Sequence, residues 1–220
     1  IGIISSIRES VNLLNEAANL AANGKFEDSM TRVNRIYELY FGEIKIISEE
    51  YNKYIDNKLA KMKEELYNLL KIISELGEIT PSIRDRVVSY AESFSLETVK
   101  VAADAMGVNA DARRGGEWGL ITDDEYGSAS PLYNTSCQSI KSAVEQTNNN
   151  IIIVGGLTGR TRDGKVTYMG RGSSDMTSAV FTACLGGDTM EVWSNVDGLM
   201  TADPRFIPNA KPIPRLSYNE

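Results

Sequence analysis

Four consecutive apolar residues, Ile151-Ile152-Ile153-Val154, closed by Gly155-Gly156, constrain the fold more than any other stretch of this chain. A strand with one wet face alternates apolar and polar side chains. An unbroken run of this kind has no wet face and belongs inside a parallel sheet covered on both sides. The neighbouring segments fit that placement. Cys137 to Gln146 can form a helix before the run. After it, Thr158 to Met169 reads as a β-hairpin around an Asp163-Gly164 turn. Next come the loop GRGSSD (Gly170 to Asp175), a helix from about Met176 to Leu185 closed by Gly186-Gly187, and a strand from Met190 to Trp193. Upstream, IGIISS reads as a buried strand. A second strand is expected near Val108 to Ala112, then a polar loop from Arg113 to Glu117 and a short strand near Leu120. The predicted fold class is α/β, a mostly parallel central sheet with helices on both faces.

Between the first strand and the rest lies a helical stretch. Met30, Val33, Tyr37, Tyr40, Ile44 and Ile47 are spaced 3-4-3-4-3, and Ile55, Leu59, Met62, Leu66, Leu69, Ile73 and Leu76 are spaced 4-3-4-3-4-3. Two long amphipathic helices packed as a pair are predicted, with a partner-binding coiled coil as the alternative. Thr80-Pro81 should open a further helix as N-cap and first-turn proline, and another is expected from about Leu96 to Met106.

The chain contains no histidine, which removes the usual general base and the commonest transition-metal ligand. A net charge of −7 argues against nucleic acid or an anionic membrane as partner. Neither a membrane span nor a signal peptide is apparent, so a cytoplasmic location is expected. Cys137 and Cys184 lack metal-site spacing and read as reduced, buried small hydrophobes.

Chemistry points to the two loops that leave the last α/β segment. In GRGSSD, small residues let backbone N–H groups approach an anion, the following helix offers its positive end, and Arg171 can grip a carboxylate or phosphate bidentately. A glycine-rich turn capped by Ser174 or Asp175 would look similar. The second loop, SNVDGLMTADPR (Ser194 to Arg205), follows one helix and one strand later, and both loops should open on one crevice at the carboxyl ends of the strands.

The pair GRGSSDMTSAV and VWSNVDGLMTADPR closely resembles the aspartokinase branch of the amino-acid kinase family, where GRGGSD and TDVDG-x-x-TADPR are usual. The likeness extends to GGLTGRTRDGKVTYMGRG, to the ending IPRLSYNE, to PSIRDRVVSYAE against a helix of the form D-x-x-[VL]-S-x-G-E, and to the opening IISSIRESVNLL. The resemblance implies transfer of the γ-phosphoryl group of ATP, bound with Mg2+, to the β-carboxylate of L-aspartate. It implies that Arg171 holds the substrate α-carboxylate, that Glu92 holds its ammonium group, and that Ser174 and Asp175 orient the reacting end. Ser194, Asn195, Met200 and Arg205 would line the nucleotide site, while Asp203 and Asp197 also suit simple turn formation. A carboxylate nucleophile needs no general base, which suits a chain without histidine.

Several positions depart from that pattern. Ser173 replaces a glycine that would allow positive φ, Ser194-Asn195 replaces Thr-Asp, Met200 replaces a common tyrosine, Ala91 replaces the glycine before Glu92, and Ser10 or Val11 falls where a substrate-binding threonine is expected. The family's K-[FY]-G-G-[ST]-S loop, its later lysine-bearing segment and its regulatory ACT domains do not occur in these 220 residues. The expectation is therefore one incomplete catalytic domain over 1–220, with residues 26–77 as a helical insertion, inactive by itself and homo-oligomeric in the full-length protein. Two alternatives stay open: a non-catalytic amino-acid or nucleotide sensor, and a kinase for a different carboxylate.

Overall fold

The computed structural model describes residues 1–47, 52–194, 198–217 and 219, with side chains of 52–56 excluded. Contacts divide the chain into two units, Ile1–Asp188 and Thr189–Glu220, which are described separately.

The first unit is built on three parallel strands, β1 (Gly2–Ile4), β2 (Ala110–Arg114) and β3 (Ile151–Gly155), in the order β1-β3-β2. The apolar run is thus the central strand, as its composition requires. Ile152 and Val154 pack with Trp118, Leu120, Ile140 and Phe181, whereas Ile153 packs with Leu96 and Ala110. Ile140 lies on α6 (Tyr133–Glu145) and Phe181 on α7 (Ser173–Leu185), while Leu96 lies on α5 (Tyr90–Ala105). Alternate side chains of one strand therefore enter two cores, and the strand meets water only at Ile151, its 43% exposed first residue. β4 (Thr158–Arg160) and β5 (Val166–Tyr168) form the expected hairpin, with Gly164 at φ +86° in its turn.

A second core is all-helical. It joins α1 (Arg8–Ala22), α2 (Phe26–Ile47), α3 (Asn52–Leu76) and α4 (Pro81–Val88) to one side of α5. The paired-helix reading holds, and its contacts are intramolecular. Val33, Tyr40, Ile44, Leu59, Leu66 and Ile73 are buried as expected, but the stripe is rotated at its edges: Ile36 and Leu70 are fully buried, Met30, Tyr37, Met62 and Leu69 only partly, and Ile47 and Leu76 are exposed. The expected Ile55 lies outside the described side chains. The rotation follows from packing, because α1 and α5 press on this pair from the sides and widen the apolar face beyond a two-helix seam. Thr80 caps α4 as expected, its Oγ1 accepting the Ile83 N–H at 3.3 Å.

Several sequence expectations are corrected. Cys137 and Cys184 are not reduced: they form a disulfide joining α6 to α7, with Cα atoms 4.8 Å apart. Their spacing gave no hint because the two helices meet only in the folded chain. The helix break falls at Ser89 and not between residues 92 and 96, because the Ser89 hydroxyl donates to the Arg86 carbonyl at 2.7 Å and competes with the helical ladder. β2 extends to Arg114, since Arg113 and Arg114 pair with Val154 and Gly155 while their long side chains reach outward. The strand near Leu120 shrinks to an isolated bridge between Ile121 and Arg160. α7 begins at Ser173, three residues early. Met190 to Trp193 is not a strand; no partner strand pairs with it among the described residues, and Trp193 is 90% exposed. Among its described residues the second unit holds turns and one bridge, Met200 to Pro212.

Candidate functional site

The carboxyl ends of β1 and β3 and the start of α7 converge on Gly155-Gly156. Gly156 donates its N–H to the Ile4 carbonyl at 2.9 Å, and its own carbonyl accepts the Thr177 hydroxyl at 3.3 Å. A Cβ on Gly156 would lie 2.7 Å from the Ser174 Cα, so glycine is what lets α7 dock against the strand end. The hydroxyls of Ser174 and Ser5 are 2.7 Å apart, which ties the first turn of α7 to the end of β1.

On the other side of the same glycine pair sits Glu92, in the first turn of α5 and 1% exposed. Its Oε1 accepts the N–H groups of Leu157 at 2.8 Å and Thr158 at 3.1 Å, and its Oε2 accepts the Thr158 hydroxyl. A Cβ on Gly155 would collide with this carboxyl group. Burial pushes the Glu92 carboxyl up to about 7, against the pull of its three hydrogen bonds. A solvated helix carboxylate, the plain alternative for this residue, does not describe it.

Arg171 stands between two glycines in the left-handed region, Gly170 at φ +82° and Gly172 at φ +76°. Among the described residues no other residue type has positive φ, so Ser173 needs no glycine-like backbone: it is the first residue of α7 and packs inside at 4% exposure. The strain expected at that substitution is absent. Arg171 is exposed and forms no ion pair among the described residues. Asp175 is exposed in the first turn of α7, where a negative charge is favoured by the helix dipole. The structure thus places Glu92, Ser174 and the Arg171 loop around one strand end.

Two residues of this cluster escaped the sequence reading. Ser5 follows β1 directly, and its position at a strand's carboxyl end was the available signal. Asp85 is 1% exposed and accepts the N–H groups of Gly127 at 3.1 Å and Tyr168 at 2.7 Å, anchoring β5 just before the GRGSSD loop. Its signal was the leading aspartate of the helix motif that also contains Glu92. Ser10 donates to the Ile7 carbonyl at 2.6 Å and sits 3.0 Å from the Tyr40 hydroxyl inside the helical core, and Val11 packs against that core. Both are thereby committed to packing.

The chain matches the amino acid kinase family over residues 15–220. It belongs to that family. Among curated relatives, it is 34% identical to an aspartokinase of Corynebacterium efficiens over 73% of this chain and 38% of that protein. It is 30% identical to aspartokinase 2, chloroplastic, of Arabidopsis thaliana over 99% of this chain and 40% of that protein. The chain therefore spans about two fifths of the length of these relatives. The fold is similar to that of E. coli aspartokinase III, solved with lysine and aspartate, with a TM-score of 0.82 at 23% identity, covering 96% of this chain and 46% of that one. The same protein with aspartate and ADP gives 0.82 at 22% identity, covering 97% and 46%.

Within the second unit, the family-like loop is held by its own residues. The Asp203 carboxylate accepts the Arg205 backbone N–H at 2.9 Å and pairs with its guanidinium at 2.7 Å, which holds the Asp203 carboxyl below the usual range. The turn-forming reading of Asp203 fits this geometry. Ser194 is exposed, Met200 forms the bridge to Pro212, and Asn195 and Asp197 lie outside the described residues.

Proposed function

We propose that this chain is the catalytic segment of an aspartate kinase. The reading is carried by the convergence of Ser5, Gly156, Ser174 and the Arg171 loop at the start of α7, with buried Glu92 behind the same glycine pair. Free N–H groups at a helix start favour an anion, and the unpaired Arg171 can fork onto a carboxylate. In this reading Arg171 takes the α-carboxylate of L-aspartate, Ser174 and Asp175 orient its reacting end, and Glu92 completes the pocket toward the ammonium group. One β-carboxylate oxygen attacks the γ-phosphorus of ATP, the bond to the β–γ bridging oxygen breaks, and 4-phospho-L-aspartate and ADP form. Such chemistry asks for positioning and charge neutralisation rather than proton removal.

The nucleotide would be lined by Ser194, Asn195, Met200 and Arg205. In this reading Mg2+ is bound with the nucleotide phosphates. A role in lysine and threonine biosynthesis, a cytoplasmic location and homo-oligomerisation of the full-length protein belong to the same reading. No helix among the described residues is long and apolar enough to cross a membrane.

Calorimetric titration of the chain should show saturable L-aspartate binding, stronger than for L-glutamate or N-acetyl-L-glutamate. Arg171→Lys, which loses the fork, should weaken aspartate binding at least about tenfold and leave ATP binding unchanged. In a full-length protein containing this segment, hydroxylamine added with MgATP and aspartate would trap the acyl phosphate as a hydroxamate. Absence of both aspartate binding and hydroxamate would refute the kinase reading, and unchanged affinity in Arg171→Lys would remove Arg171 from the site.

A further inference from the structure

A cavity of about 790 Å3 opens in the first unit between α3, α4, α5, the end of β2 and the tip of the β4–β5 hairpin. It shares no lining residue with the site above, and its Arg114 interacts electrostatically with Glu92. α5 turns Tyr90, Ser93 and Glu97 toward the cavity, one helical face, whereas Glu92 points to Gly155. Six cations line it, Lys58, Lys61, Arg86, Arg113, Arg114 and Lys165, against three carboxylates, Glu65, Glu97 and Glu117. The lining residues sum to +3 in a chain whose net charge is −7, with Arg113 and Lys165 also paired to Asp111 and Asp163 just outside the lining. Basic charge gathered into one concavity of an acidic protein focuses the field on anions.

The cations divide into two groups by how they are held. Arg114 is half-buried, and Glu117 fixes it twice, accepting its backbone N–H at 2.9 Å and its guanidinium at 3.1 Å. Arg113 lies over the Trp118 ring with its guanidinium carbon 4.5 Å from the ring centre and is forked onto Asp111, Lys58 pairs with Glu97 at 2.6 Å, and Lys165 pairs with Asp163 at 3.2 Å. These groups are pre-positioned and lose little freedom on binding. Lys61 and Arg86 have no ion-pair partner among the described residues and retain their full charge for a ligand. The Ser82 hydroxyl adds a hydrogen-bonding group, those of Ser89, Ser93 and Tyr90 already donate to Arg86, Ser89 and Glu65, and Met62, Ile83 and Leu96 supply an apolar floor. The Arg86 guanidinium, the Lys61 ammonium and the Ser82 hydroxyl suit the oxygen-rich tetrahedron of a phosphate, and the volume suits a metabolite-sized molecule.

We propose that this cavity is a second binding site, for a phosphate-bearing small molecule. Pyrophosphate is the probe. Titrated into the chain at low salt, it should bind saturably with a Kd below about 1 mM. The double variant Lys61→Gln, Arg86→Gln should weaken that binding at least about tenfold, and Lys61→Arg with Arg86→Lys should restore it. Both side chains are exposed, so the variants should melt like the parent. Arg171→Gln, in the kinase site, should leave pyrophosphate binding unchanged, as should Lys25→Gln on a remote turn. Citrate at equal ionic strength should bind more weakly. The proposal is overturned by an absence of saturable binding, by loss in Arg171→Gln in place of the double variant, by an equal loss in Lys25→Gln, or by citrate binding as tightly. None of these outcomes depends on whether aspartate binds.

Discussion

At the scale of single residues, Glu92 combines a structural and a chemical role in one carboxyl group. Three donors converge on it, yet burial outweighs them and raises its pKa to about 7. In the unfolded chain a glutamate titrates near about 4.3. Between these values the folded state keeps a proton that the unfolded state has released, so its contribution is fully present below about pH 4 and is lost as pH rises through about 7. Glu92→Gln mimics the protonated form: its Oε1 can accept both amides and its Nε2 can donate to the Thr158 oxygen. The unfolding free energy of Glu92→Gln should gain on that of the parent by roughly 2 to 3 kcal/mol between pH 4 and pH 8. Urea denaturation at stepped pH measures this difference. Parallel curves for the two proteins would show that Glu92 is ionised in the folded state throughout.

Between elements, the contact of α6 with α7 carries a covalent link that the sequence did not disclose. Cys137 and Cys184 lie 47 positions apart, and closing a loop of that length in the unfolded chain is worth up to about 4 kcal/mol. A reductant should therefore lower the stability of the parent toward urea by about 2 to 4 kcal/mol. Cys137→Ser should show the same loss and no further response to reductant. A parent whose melting is indifferent to reductant, with two titratable thiols before unfolding, would rule the bridge out. The contrast with β3 shows what was readable. Ile151 to Val154 announces its environment locally, because each side chain reports one face of one strand. GRGSSD likewise carries its own backbone chemistry in Gly170 and Gly172. The contacts that assemble the site are long-range and leave no local trace: Ser5 meets Ser174 across 169 residues, and Asp85 meets Tyr168 across 83. Met190 to Trp193 misled for the same reason, since an apolar pattern gives propensity but not a partner strand.

For the molecule as a whole, every fully buried apolar side chain among the described residues lies at or before Cys184. All three cores thus belong to Ile1–Asp188, while the second unit displays Val192, Trp193, Leu199, Phe206 and Ile207 largely exposed. Hydrophobic burial is the main favourable contribution to folding, so cooperative stability should reside in the first unit. A chain ending at Asp188 should keep the parent's helical circular dichroism per helix and melt within about 3 °C of it, a shift corresponding to less than about 1 kcal/mol at this size. The same truncation removes the TADPR loop, so it separates the two functional readings from folding: pyrophosphate binding at the cavity should persist, and aspartate binding through Arg171 should persist, while ATP binding should fall. A truncated chain that melts broadly or at a much lower temperature would mean that residues 189–220 contribute to the core after all. Differential scanning calorimetry of both chains, with and without each ligand, distinguishes these outcomes, because a ligand stabilises only the chain that still contains its site.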